Sequence, residues 1–241
     1  MSIRSRAFIA VAVVGLALGT AGGARTDSLF DLIMRVFGIS ATPSQMRGER
    51  DVTAGKVWIA DLEGGAFTSL TTDSGYRWPV YERNGQAVVA LKGDSLLRIP
   101  VTKGKVEVQH KIPGVEKLVG FDREDSDKLL VVLNKDTAPL AFLSLKTGNL
   151  TPLPYDSRSS DYRRLLSHIK GEERVYGTVR VYVKAESKQG MEGEVMWDEV
   201  YLQQDESEPR KVSNGDGVDC NQPSLSPDGK AVVYIKVSDT E

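Results

Sequence analysis

The stretch Ser226-Pro227-Asp228-Gly229-Lys230 constrains this chain more than any other. It sits between Gln222-Pro223-Ser224-Leu225 and Ala231-Val232-Val233-Tyr234-Ile235. Proline presets φ for the first corner of a turn, aspartate bonds to the backbone just beyond it, and glycine accepts a positive φ. Apolar or β-branched runs on both sides turn the segment into a hairpin. Weaker copies lie upstream. Trp78-Pro79-Val80-Tyr81-Glu82-Arg83-Asn84-Gly85-Gln86 leads into Ala87-Val88-Val89-Ala90-Leu91, with Pro79 matching Pro223 and Asn84-Gly85 matching Asp228-Gly229. Gly120-Phe121-Asp122 before Lys128 to Leu133 reads as a third copy, and His168 to Arg174 before Val175-Tyr176 as a fourth.

A second half-unit repeats between these hairpins. Lys56-Val57-Trp58-Ile59-Ala60-Asp61 is a strand that ends in Leu62-Glu63-Gly64-Gly65, and Ala66 to Thr71 is its return. Arg98 to Gly104 and Phe142 to Gly148 repeat that form, and Tyr201 to Ser207 is a degraded copy. Units recurring every 40 to 45 residues, with a last interval of 57 to 59, are the mark of a β-propeller with one oversized unit. The first repeated element lacks a hairpin before it, and the last lacks an outgoing pair after it. The expected fold is therefore all-β: a small β-propeller of about four blades over 55–241, its last blade closed by both termini.

The chain start differs in character. Arg4 and Arg6 precede the apolar run Ala7 to Leu18, and Gly19 to Ala24 are small residues. That is the pattern of a signal peptide over 1–24, and its apolar run is short of the roughly 20 residues of a spanning helix. In the stretch over 25–54, Leu29, Phe30, Leu32, Ile33, Val36 and Phe37 fall on one stripe of a short amphipathic helix stopped by Gly38, followed by a linker. A net charge of −2 and a pI near 5.9 supply no basic stripe for nucleic acid. Cys220 is the lone cysteine, so an internal disulfide is excluded and a buried filler is the expected role.

The proline-bearing turn over Pro223 to Lys230, together with Val57 to Gly65 followed by Leu70-Thr71, resembles the repeats of the TolB-like propeller family of bacterial periplasmic proteins. The likeness spans about residues 55–241, with Leu225 where that family usually carries an aromatic. Such proteins usually have six blades and often a separate N-terminal domain. The resemblance implies a periplasmic or secreted location and contact with proteins through a propeller face, and it supplies no catalytic residue.

The residues themselves offer little for catalysis. His110 and His168 are the only histidines, and there is no nucleophile elbow, zinc-ligand pair or P-loop. The acidic turn Asp122, Glu124, Asp125 and Asp127, and the group Asp216, Asp219 and Asn221, lack the spacing of a metal loop. The expectation is a non-catalytic module with no cofactor and no bound metal, binding a protein or another envelope macromolecule. Its candidate contact residues are Arg77 and Trp78, beside the loop Asp73 to Arg77, and Tyr162 and Arg163, in the connection Ser157 to Leu166. Tyr182 and Trp197, on a long hairpin turning over Glu186 to Glu194, complete the set. Two alternatives stay open: a small propeller enzyme acting on sugar or peptide at the central channel, and an assembly subunit completed by homo-oligomerisation.

Overall fold

The structure is a computed structural model. It describes residues 54–237, apart from 103, 123–124, 136–138, 154–168, 170–173 and 191–192. The expected leader over 1–24 and the short helix within 25–54 lie outside these residues. No helix among the described residues is long and apolar enough to cross a membrane.

Among the described residues, sixteen strands form four four-stranded antiparallel sheets. One contains β3 (Tyr76–Tyr81), β4 (Ala87–Lys92), β5 (Ser95–Pro100) and β6 (Glu107–Lys111) in that order. The next runs β7 (Val115–Phe121), β8 (Lys128–Leu133), β9 (Leu140–Ser144) and β10 (Leu150–Pro152). A third has β11 (Arg174–Tyr176), β12 (Val179–Gly190), β13 (Gly193–Gln204) and β14 (Arg210–Lys211). The fourth joins the two ends of the fold: β15 (Cys220–Leu225) and β16 (Ala231–Lys236) are followed in space by β1 (Lys56–Asp61) and β2 (Phe67–Ser69). The expected sharing of one sheet by both termini is present. β1 pairs with β16 along its whole length, from Lys56 opposite Lys236 to Asp61 opposite Ala231. Leu62 N–H extends the ladder to Lys230 C=O at 2.9 Å. Gly55 leads into this seam at a point where a Cβ would stand 2.3 Å from Lys236 O, so only glycine fits.

The turns behave as their residues dictate. Gly229 (φ 73°) and Gly85 (φ 68°) hold the positive φ that closes each hairpin, and their N–H groups donate to Ser226 O and Glu82 O. Ser226 Oγ accepts Lys230 N–H at 3.1 Å and Ala231 N–H at 2.9 Å while donating to Asp228 Oδ1 at 2.6 Å. Asn84 Oδ1 accepts Gln86 N–H at 2.8 Å, which repeats the device one sheet away. In the outgoing half-unit, Asp61 Oδ1 accepts the N–H groups of Glu63 and Gly64.

The apolar runs of the central strands are continuous rather than alternating because those strands are covered on both faces. Val89 and Leu91 pack with Trp78, Leu96, Leu118, Leu129 and Val131 between the β3–β6 and β7–β10 sheets. Val88 and Ala90 point the other way and, with Tyr81 and Ile99 of their own sheet, pack against Val57, Val233 and Ile235 of the shared sheet. In turn, Val232 and Tyr234 join Val181, Val200 and Cys220 against the β11–β14 sheet. Four sheets thus stack face to face in a row, as propeller blades do. Among the described residues this row is not closed into a ring. Leu130, Val132 and Leu140, on the far side of the β7–β10 sheet, are nevertheless buried.

The fourth unit departs from expectation. A tight turn falls at Gly177-Thr178, where Gly177 has φ 65°, while the expected turn over His168 to Arg174 lies almost wholly outside the described residues. The expected single strand from Val175 is therefore split into β11 and β12. The long hairpin is present, but both strands run further than expected, with pairing continuing out to Gly190 opposite Gly193.

Truncating Ile235, which has no exposed surface in the core beside the shared sheet, is expected to cost about 2–5 kcal/mol in I235A. A fall in the denaturant midpoint at unchanged m would register it. Asp228 is held below the usual carboxylate range, first by the Ser226 hydroxyl and then by Lys230 N–H. Its stabilisation is thus complete above the unfolded-state value of about 4 and lost as pH falls through the lower folded value. D228N, which keeps an acceptor but cannot titrate, should show a shallower loss of Tm on acidification below about pH 4.

Candidate functional site

Two places gather the polar and aromatic groups that could meet a ligand. The first is the ribbon formed by β12 and β13, paired from Val179 opposite Gln204 out to Gly190 opposite Gly193. β11 covers its root only as far as Val181, and β14 only at Tyr201 and Leu202. On one face, Tyr182 stands directly across from Tyr201, with ring centres 6.0 Å apart and planes 25° from parallel. Arg180 lies over Tyr182 at 5.3 Å and Lys184 over Tyr201 at 5.2 Å, so cations flank the stacked pair. Tyr201 OH donates to Glu186 Oε1, and burial together with that carboxylate pushes the phenol up to about 12. From the Ser187–Met196 pair outward the ribbon is exposed, and there Val195 and Met196 leave 52% and 62% of their surface uncovered.

Trp197 on the same face donates its indole N–H to Glu199 Oε1 at 3.0 Å. Glu199 is only 1% exposed, and it also accepts Ser213 Oγ–H and Gly215 N–H. Lys211 Nζ is 3.8 Å away. With its lone pairs committed in this way, Glu199 bolts the 213–215 loop to the ribbon root and acts as an anchor rather than a proton-transfer group.

The second place is the line along which the first strands of the four sheets meet. β11 packs beside β15, β15 beside β3, and β3 beside β7. Trp78 on β3 and Gln222 on β15 both precede prolines, and both adopt a left-handed backbone, with φ 52° and 53°. Proline disfavours this in the residue before it, and each such site costs about 1–3 kcal/mol. Each lies where its hairpin register slips, between Arg77 and Val80 and between Asn221 and Ser224. The two bulges touch: Gln222 Oε1 accepts Trp78 N–H at 2.5 Å. Lys117, on the bulged β7, places Nζ 3.9 Å from the centre of the Trp78 ring. The Trp78 indole N–H has no acceptor among the described residues.

Of the residues singled out from sequence, Tyr182 and Trp197 share the ribbon face, together with Tyr201. Arg77 is half-buried and Trp78 buried on β3, so Trp78 faces the meeting line of the sheets rather than a surface loop. Tyr162 and Arg163 lie outside the described residues. Lys117, Arg174 and Gln222 were not recognisable in advance. Lys117 and Arg174 are each 7% exposed or less, and charged residues in an alternating strand read as solvated. The acidic turn is used locally: Asp125 Oδ1 accepts Asp127 N–H, and Asp127 accepts Ser144 Oγ–H and Lys146 N–H.

No family model matches this chain, and no curated protein does. Solved structures with some likeness include a TolB candidate from Agrobacterium tumefaciens, at 11% identity and TM-score 0.37, covering 77% of this chain and 62% of that one. A chain of a nidogen/laminin complex is similar at 8% identity and TM-score 0.35, covering 67% and 59%. The apo form of the AtxE2 isopeptidase is similar at 11% identity and TM-score 0.26, covering 69% and 30%. This chain spans less than two thirds of the length of each. The description of the fold rests on the strand pairing given above, not on these likenesses.

Cys220 is buried beneath this region, and burial, the largest cause, together with Glu199 nearby, pushes its thiol up to about 12. Only the thiolate attacks disulfide reagents. Ellman's reagent at pH 8 should therefore leave the folded protein unlabelled and should label one thiol per chain in denaturant. Fast labelling without denaturant would contradict the buried placement.

Proposed function

We propose that this chain is a non-catalytic, exported binding module of the cell envelope that grips a protein partner with the β12–β13 ribbon. The observation that carries the reading is the ribbon itself. A twelve-residue strand pair extends past its flanking strands, with an aromatic and cationic face near its root and bare Val195 and Met196 at its end. Rigid aromatics flanked by adaptable charged chains are the usual anchors of protein interfaces. The scaffold beneath, with strands sandwiched between sheets, supplies a stiff mount.

Export is supported by the basic start, short apolar run and small residues of the first 24 positions. A TolB-like role in the periplasm fits the repeat pattern over Val57 to Gly65 and Pro223 to Lys230. A non-catalytic role is supported by how the carboxylates are used. Asp61, Asp127 and Glu199 accept backbone or hydroxyl hydrogens instead of facing one another across a cleft.

A photo-crosslinking amino acid placed at Met196 or Lys188 should give a discrete adduct in envelope-expressing cells, while the same group at Val108, equally exposed on β6, should not. W197A and the double variant V195D/M196D should lose the adduct by tenfold or more with Tm unchanged to within a few degrees. Equal labelling at positions 108 and 196 would defeat the reading, as would adduct yield indifferent to those substitutions.

A further inference from the structure

The β12–β13 ribbon has edges as well as faces, and the outer edge of β12 is bare for most of its length. The backbone of Val200 turns toward β14: its C=O accepts Val212 N–H at 2.8 Å and its N–H donates to Ser213 Oγ at 2.7 Å. Val183 stands opposite Val200, so the backbone groups of this pair point away from each other. By the same alternation, the N–H and C=O groups of Val183, Ala185, Ser187 and Gln189 all face outward from β12. β11 pairs only with Val179, Arg180 and Val181. Beyond Val181, no strand among the described residues pairs with this edge.

A long exposed edge is a template for another strand unless brevity, a proline or a bulge protects it. β12 has none of these: its pairing with β13 runs from Val179 to Gly190 without a register shift, and 182–190 hold no proline. Its charges fall on one face in the order Lys184, Glu186, Lys188. That order selects one way for two β12 strands to lie antiparallel. Centred on Glu186, lysines would face lysines and Glu186 would face itself, and centred on Lys188, that lysine would face itself. Centred on Ala185, the second copy's Gln189 would fall opposite Val181, a place that Arg174 of β11 already occupies. Centred on Ser187, Glu186 faces Lys188 on both sides of the axis and Lys184 faces Gly190. Ala185 then exchanges backbone bonds with Gln189, and Ser187 with Ser187, about six bonds in all. This pairing covers 184–190 and stops short of β11.

We propose that the outer edge of β12 is a self-association surface, on which two copies pair antiparallel about a two-fold axis at Ser187 and merge their ribbons into one four-stranded sheet. The occupant is a second copy of this chain because the charge order is complementary to itself. The association uses the edge rather than Trp197, Val195 or Met196, so it does not rest on the ribbon's gripping another protein.

Sedimentation equilibrium of the full-length chain at concentrations up to about 1 mM should show a reversible monomer–dimer equilibrium. Ser187 N–H faces outward, so S187P spares the bonds to β13 and should leave only monomer, with Tm unchanged to within a few degrees. K188E and E186K each set like charges across the axis and should weaken self-association at least about tenfold. Mixed in equal amounts, these two variants should pair with one another, because every cross-strand charge pair is then opposite in sign. S187C should oxidise to a disulfide-linked dimer, since position 187 meets its own copy, while A185C, opposite Gln189, should not. Cys220 is buried and takes no part in either. V195D/M196D, which removes the partner adduct, should leave the dimer intact, so the two readings fail separately. A chain that is monomeric throughout overturns the proposal, whether the edge stays bare or takes a strand of a different protein. So does a dimer that survives S187P, failure of K188E and E186K to pair when mixed, or a disulfide at position 185 but not at 187.

Discussion

Everything in this fold depends on central strands that are buried on both faces at once. Val88 and Ala90 serve one inter-sheet core, while Val89 and Leu91 serve the next. Val233 and Ile235 alternate with Val232 and Tyr234 in the same manner. A register slip of one residue in such a strand does not expose apolar side chains but exchanges the contents of two cores. Packing at crystal-like density tolerates that poorly, so each central strand locks the registers of the sheets on either side. The β1–β16 seam extends this coupling to the chain ends. Residues far apart in sequence must meet before the seam can form, and the closure entropy is offset only when both cores beside it fill. The pairing order implies slow, cooperative folding.

That stiffness is also what allows the unusual axis. Left-handed backbone before proline at Trp78 and Gln222 persists only where surroundings over-determine it. Here the bulges lean on each other through a side-chain bond and are pinned by apolar neighbours on both sides. The ribbon is the opposite case. Its root is anchored by the buried Glu199, but among the described residues its end is held by cross-strand pairing, so it can adapt to a partner surface while the base stays fixed.

Most of the sheet framework was legible in the chain. The turn chemistry of Asp228-Gly229 and Asn84-Gly85, and the match of Pro79 with Pro223, located equivalent hairpins, and the structure gives both prolines equivalent bulges. The break of the fourth unit at Gly177-Thr178 was missed because one glycine beside a threonine is a short, weak turn signal inside a β-branched run. The ribbon's existence could be read from its length and its β-branched residues. Its pairing out to Gly190 could not, since Glu186 to Gln189 look like a polar turn. Trp78 resembled a surface anchor because sequence alternation shows which side of a strand a residue takes but not what lies there.

Local chemistry in the sequence alone determined the hairpins, their spacing and the complementary half-units at the two ends of the repeat region, because turn residues and β-branched runs act through near neighbours. Only the tertiary structure decided which core each alternate side chain enters, that Lys117 and Arg174 are buried, and that the bulges at Trp78 and Gln222 meet. Those outcomes depend on sheet stacking and on two register shifts, which arise between segments distant in the chain and leave no local trace.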